Sequence, residues 1–114
     1  VSYCRWSSDA FKCDVYCYEH CEGGFQIHVA GKRPKGHITA IDWSTPERLK
    51  ETYKQQRIDM DAAPLVSIGL KYDGQSFYLA DAEECLEMMR HLKETGYNVP
   101  DYAIEALAEE VEEV

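Results

Sequence analysis

From Cys13 to His20 the chain alternates: Cys13, Val15, Cys17 and Glu19 would fall on one side of an extended strand, Asp14, Tyr16, Tyr18 and His20 on the other. The cysteine spacing of i, i+4, i+8 would also suit one helix face. The intervening valine and tyrosines decide for a strand. Gly23-Gly24 then separates it from a second alternating run, "FQIHVAG", which predicts a β-hairpin. Ser2–Trp6 and His37–Trp43 are further strand candidates, with Ser7-Ser8-Asp9 a turn and "GKRPKG" (Gly31–Gly36) an exposed loop. An antiparallel sheet of three to five strands follows.

The period then changes. Ser44 and Glu47 have capping-box spacing, Pro46 suits a first helical turn, and Leu49 and Tyr53 mark an apolar stripe, so a helix is predicted through Arg57. "PLVSIGL" (Pro64–Leu70) predicts a strand, and "KYDGQSFYLAD" a loop turning at Asp73-Gly74. Asp81 and Glu84 repeat the capping pattern ahead of Leu86, Met89 and Leu92. Gly96 suits a helix stop and Pro100 a restart. The last helix would bury Ile104, Leu107, Ala108 and Val111, and expose Glu105, Glu109, Glu110, Glu112 and Glu113. The expected fold is one α+β domain over 1–114: an N-terminal antiparallel β-sheet, a linking helix and a C-terminal helical hairpin.

Composition agrees with one modest core. The 114 residues are 45% hydrophobic and 29% charged, as in ordinary soluble globular domains. No apolar run approaches the roughly 18 residues of a membrane span, and no signal-peptide pattern opens the chain, so a cytoplasmic protein without a membrane partner is expected. The net charge of −9 is unevenly placed. Residues 1–57 carry nine Lys/Arg against seven Asp/Glu, whereas 58–114 carry three against fourteen. An anionic ligand would therefore use the first half, and nucleic acid is disfavoured as a partner.

The thiols are the first candidate chemistry. On a strand Cys13 and Cys17 stand about 14 Å apart, too far to share a zinc whose sulfur ligands lie about 2.3 Å away. The close pairs of strong zinc motifs are also missing. Five is an odd number for a disulfide framework, so reduced, sheet-packing cysteines are expected, with Cys85 in the helical core. No catalytic signature is present, and His20 and His28 fall on the hairpin's outward side, so neither enzyme activity nor a cofactor is expected.

Anion binding has better material. Lys32, Arg33 and Lys35 crowd one loop, and Arg57 ends a helix that also bears Arg48, Lys50 and Lys54. These cations could equally be solvated or, for Arg57, cap helix carbonyls. In "DGQSFY" a purine could stack on Phe77 while Asp73 or Gln75 bonds its edge; alternatively Phe77 anchors the helices to the sheet. By chemical type the ligand-binding candidates are Arg5, Trp6, Arg57, Asp73, Gln75, Phe77 and Arg90, with Trp43 a further stacking candidate.

"SYCRWSSD", "CDVYCYE", the "GG" turn and "HVAG", followed by "IGLKYDGQSF" and "LKETGYNVPDYAIEAL", resemble small proteins encoded by tailed phages and prophages over nearly the whole chain. The layout is similar to that of the Thoeris anti-defence family, sponges for the cyclic ADP-ribose signal of host TIR proteins. The resemblance implies capture without degradation in recessed sites of a homodimer or larger oligomer, in the host cytoplasm. The acidic second half departs from what an anion binder needs. Alternatives are a protein-binding inhibitor of a host defence enzyme, using the acidic C-terminal helix, and a structural or regulatory phage protein.

Overall fold

The computed structural model describes residues 2–112. Strands β1 (Ser2–Cys4), β2 (Val15–Glu19), β3 (Phe25–Val29) and β6 (Ser76–Leu79) form an antiparallel sheet in the order β1-β2-β3-β6. The predicted alternation is its pleat. Val15 opposes Val29, Cys17 opposes Ile27, and Ile27 in turn opposes Phe77, all on the side packed against the helices. Tyr16 and His28 with Ser76, and Tyr18 and Gln26 with Tyr78, make the rows of the other side.

Helices α3 (Ala82–Thr95) and α4 (Asp101–Glu112) cover the inward side. Asp81 caps α3 by accepting from the Glu84 amide at 2.9 Å, and Glu84 accepts from the Ala80 amide at 2.9 Å. Gly96 ends α3 with φ 121°, a conformation open to glycine, and Tyr97 N–H returns to the Leu92 carbonyl at 3.1 Å. Cys85, Met89, Leu92, Ala103 and Leu107 are fully buried against the strands. Glu110, expected outside, is half-buried because it accepts the Tyr3 hydroxyl hydrogen bond from β1. Glu113 lies outside the described residues. No described helix is long and apolar enough to cross a membrane.

Between β3 and β6 the chain leaves this body. "GKRPKG" is not a loop: β4 (Lys32–Pro34) pairs with β5 (Leu65–Ser67) as a separate antiparallel ribbon. Pro34, which has no amide to donate, is tolerated because such a ribbon is all edge. The ribbon leads to helix α2 (Pro46–Ala62) and the segment before it. The Cα radius of gyration is 15.4 Å, against about 13 Å for a compact chain of this length, consistent with that excursion.

Three expectations change in this excursion. The cap of α2 is Thr45, whose hydroxyl accepts from the Arg48 amide at 3.1 Å, and not Ser44. Pro46 forces its predecessor into extended backbone, which is the geometry an N-cap needs. The helix also runs past Arg57 to Ala62, so Arg57 does not cap its end. The buried face is Thr52 and Gln56, while Tyr53 is 53% exposed.

His37–Trp43 is consequently not a strand. Its polar groups go to α2 side chains: Asp42 N–H to the Thr52 hydroxyl (2.9 Å), Thr39 N–H to Asp59 (2.8 Å), and Gln56 Nε2 to the Thr39 carbonyl (3.1 Å). Ile38 is the buried apolar anchor. "SFYL" within the expected loop is instead the fourth strand of the main sheet, with Phe77 and Leu79 inward.

Asp14 joins these parts. Its side chain is 1% exposed and accepts from Arg33 Nη2 on β4 (2.6 Å) and from the Asn98 amide between α3 and α4 (2.7 Å). Its own amide donates to the Asn98 carbonyl (2.9 Å), and its carbonyl accepts from Ala30 (2.8 Å). Replacing the carboxylate leaves a partly exposed guanidinium and the Asn98 amide without their acceptor. Asp14→Ala should therefore lower stability by about 2–3 kcal/mol, read from urea unfolding midpoints.

Candidate functional site

The cysteines pack as the alternation requires. Cys4, Cys13, Cys17 and Cys85 are buried and free, whereas Cys21 is exposed. The Cys4 and Cys13 thiols both donate to the Val15 carbonyl, at 3.7 and 3.0 Å, and the Cys17 and Cys85 sulfurs lie 3.5 Å apart. Contact with Cys85 and then burial push the Cys17 thiol up, and contact with Cys13 and then burial do the same for Cys4. Both are held as protonated packing groups, not as the thiolates that nucleophiles and metal ligands require. No three His, Cys, Asp or Glu side chains among the described residues are grouped to hold a metal ion.

The seven candidate ligand residues are dispersed. Arg5 and Arg90 are exposed on separate elements, after β1 and on α3. Trp6 lies edge-on to Tyr16 beside the outward sheet face, with ring centroids 5.9 Å apart. Phe77 is half-buried against the core and meets Tyr72 edge-on at 5.5 Å, so it anchors the sheet-to-helix packing. Gln75 shapes the turn before β6 through its backbone, donating to Tyr72 and accepting from Val29.

Asp73 organises the same turn. It accepts from the Gly69 amide (2.7 Å), the Leu70 amide (3.2 Å) and the buried Tyr97 hydroxyl (2.7 Å). Arg33, from the basic loop, is spent on Asp14. Asp73, Gln75 and Phe77 thus come together as architecture, away from Arg57.

Arg57 faces a different hollow. Between α2 and the turn at α1 (Ser8–Phe11) lie two adjoining cavities of about 330 and 400 Å³ that share Gln56. Arg57, Tyr53 and Phe11 line the first, and Trp43, Ile41 and Asp9 the second. Arg57 is exposed and forms no ion pair among the described residues. Trp43 is 76% exposed.

The wall opposite α2 is strained. Asp9, Ala10 and Phe11 have φ of 54°, 54° and 64°, a left-handed turn costing about 1–2 kcal/mol per residue. Backbone bonds hold it, with Lys12 N–H to Asp9 (3.1 Å) and Cys13 N–H to Ser8 (3.2 Å). This turn sets Phe11 and Asp9 on the cleft. Phe11 and Tyr53 were missed as candidates because only the fold opposes them. The available signal was a Tyr four residues before Arg57, on the same helix face.

The Asp73–Tyr97 contact carries a pH dependence. The Tyr97 hydroxyl, then the loop amides, hold the Asp73 carboxyl below its usual range, so its contribution is complete above about pH 4 and is lost as pH falls through the folded value. Burial, then Asp73, pushes Tyr97 up to about 12 from an ordinary 10, so that its contribution is present below pH 10 and lost between 10 and 12. Tyr97→Phe should flatten the alkaline limb and weaken the acid limb of a melting-temperature-against-pH profile. Compared with family models, curated proteins and solved structures, the chain matches none.

Proposed function

We propose that this chain is a phage-encoded counter-defence protein that binds and sequesters a cyclic ADP-ribose-type nucleotide in the α2 cleft without degrading it. One observation carries the reading: an exposed guanidinium without an ion pair among the described residues, Arg57, shares adjoining hollows with the aromatic side chains of Phe11, Tyr53 and Trp43. Their volumes fall in the range of small-ligand pockets, about 300–1,000 Å³. The adenine would stack on Trp43 or Tyr53, and the pyrophosphate would take charge-assisted bonds from Arg57. Phe77, half-buried against the core and away from this cleft, is not assigned the stacking role.

Arg57 is the cation of the cleft lining, and Asp61 on α2 and Asp9 on the opposite turn line it too, so a pyrophosphate would be held at Arg57 against the repulsion of those carboxylates. The acidic α4 is a separate element. Ile58, Leu65 and Val66 are exposed on the same excursion, which supports a homodimer or larger assembly. The counter-defence setting in a host cytoplasm rests on the sequence resemblance.

The protein should be incubated with the product of an activated TIR enzyme, freed of unbound nucleotide and heat-denatured, and the released material analysed by mass spectrometry. Intact cyclic nucleotide is the expected result. Retention of nothing would overturn the reading and favour an inhibitor acting through the acidic helix. Arg57→Ala should weaken capture roughly ten- to a hundredfold, and Trp43→Ala about tenfold, with unchanged melting. Phe77→Ala should instead cost about 2 kcal/mol of stability.

A further inference from the structure

Strands β1 and β6 bound the main sheet, and β4 and β5 each bound one side of the ribbon. An open strand edge presents N–H and C=O groups that can pair with another chain, unless the sequence guards it. Strand β1 is short and loses register between Ser2 and Cys4. On β6 the Gln75 carbonyl accepts from Val29 at 2.8 Å, so the alternate residues Ser76 and Tyr78 turn their backbone groups outward. Pairing two copies of that edge about Phe77 would bring Asp73 of one opposite Asp81 of the other, and like charges in opposition are destabilising.

The register of the ribbon decides which of its groups face out. Lys35 N–H donates to the Pro64 carbonyl (2.9 Å) and Ile68 N–H to the Gly31 carbonyl (3.0 Å). Arg33 and Val66, midway between these bonds, therefore direct their backbone groups at each other. The outward backbone groups of β4 belong to Lys32 and Pro34, a lysine and a residue without an N–H, which guard that edge. Those of β5 belong to Leu65 and Ser67. No charge, proline or bulge interrupts Leu65–Ser67, and these N–H and C=O groups have no partner among the described residues.

The side chains and the charges agree. Leu65 is 62% and Val66 37% exposed, and neither belongs to the hydrophobic core. A two-stranded ribbon is marginal by itself, whereas three or more strands are stable. The β5 edge is also self-complementary. In an antiparallel pair centred on Val66, Leu65 of each copy faces Ser67 of the other, and every outward N–H and C=O of both strands finds a partner. The two Lys32 side chains would start from strands about 14 Å apart, beyond the screening length of about 8 Å.

We propose that β5 pairs antiparallel with β5 of a second copy of this chain, joining two ribbons into one four-stranded sheet about a two-fold axis at Val66. Leu65 then packs across from Ser67, and Val66 across from its own counterpart. The pairing names the surface for the self-association proposed above and rests on that part of the reading, not on nucleotide capture. The contact is small, so the dimer is weak and concentration-dependent.

Sedimentation velocity of the full chain without nucleotide should show a dimer fraction that rises with concentration. Ser67→Pro removes an outward N–H and none that the ribbon uses, so it should weaken association about tenfold or more with circular dichroism melting unchanged. Tyr78→Lys, on the β6 edge, should leave association intact. In a Cys21→Ser background with oxidised glutathione, Val66→Cys should link two copies, because facing Cα atoms of a non-hydrogen-bonded pair lie about 4.5 Å apart. Leu65→Cys, roughly 8 Å from its counterpart, should not. A monomer at every concentration up to roughly 1 mM would overturn the pairing and self-association together, with capture judged by its own assay. A dimer that survives Ser67→Pro, or that cross-links through Leu65→Cys and not Val66→Cys, would overturn the β5 pairing while self-association stands.

Discussion

The fold depends on the carboxylate of Asp14. A charge taken almost wholly out of water is tolerated only where opposite charge and donors replace the lost solvation. Here the replacements come from distant parts of the chain, Arg33 on the ribbon and the Asn98 amide between the last two helices. The contact is single-pronged, since Asp14 Oδ1 and Arg33 Nε find no partner among the described residues. Its importance lies in position: it joins the start of β2, the root of the excursion and the helical hairpin at one point.

From that point the molecule divides by the kind of packing it uses. Sheet and hairpin share an apolar core in which four cysteines act as small hydrophobes beside Ile27, Met89, Leu92 and Leu107. The excursion has no comparable core. Its helix meets its neighbouring segment through Thr52, Gln56 and Asp59, so directional hydrogen bonds replace buried area. A unit held this way keeps its aromatic residues near the surface, where Trp43 and Tyr53 border open cavities. The left-handed strain at Asp9–Phe11 sits on that boundary, beside the residues offered for ligand capture.

The two faces of the sheet show how one alternation serves two ends. Inward positions fill the core. Outward positions carry tyrosine, histidine, glutamine and serine, which settle their polar needs among themselves and leave ring surfaces facing solvent.

Local periodicity was readable directly. Alternation over Val15–Glu19 and Phe25–Val29, the Asp81 cap, the Gly96 stop and the apolar stripe of α4 are properties of residues within four positions of each other, and the sequence by itself determined them. Where a neighbour competed, the reading slipped, as at Thr45, whose capping backbone is imposed by Pro46. "SFYL" became a strand because β3 offered it an edge, and "HITAIDW" did not because α2 claimed its amides. Arg33 looked like a free cation until burial of Asp14, 19 residues earlier, engaged it, and Phe77 looked like a free stacking face until it packed half-buried against the core. Hydrogen-bond partners, burial and cavity walls depend on which distant segments meet. Only the tertiary structure decided them, because no pattern of near neighbours encodes a contact made across the chain.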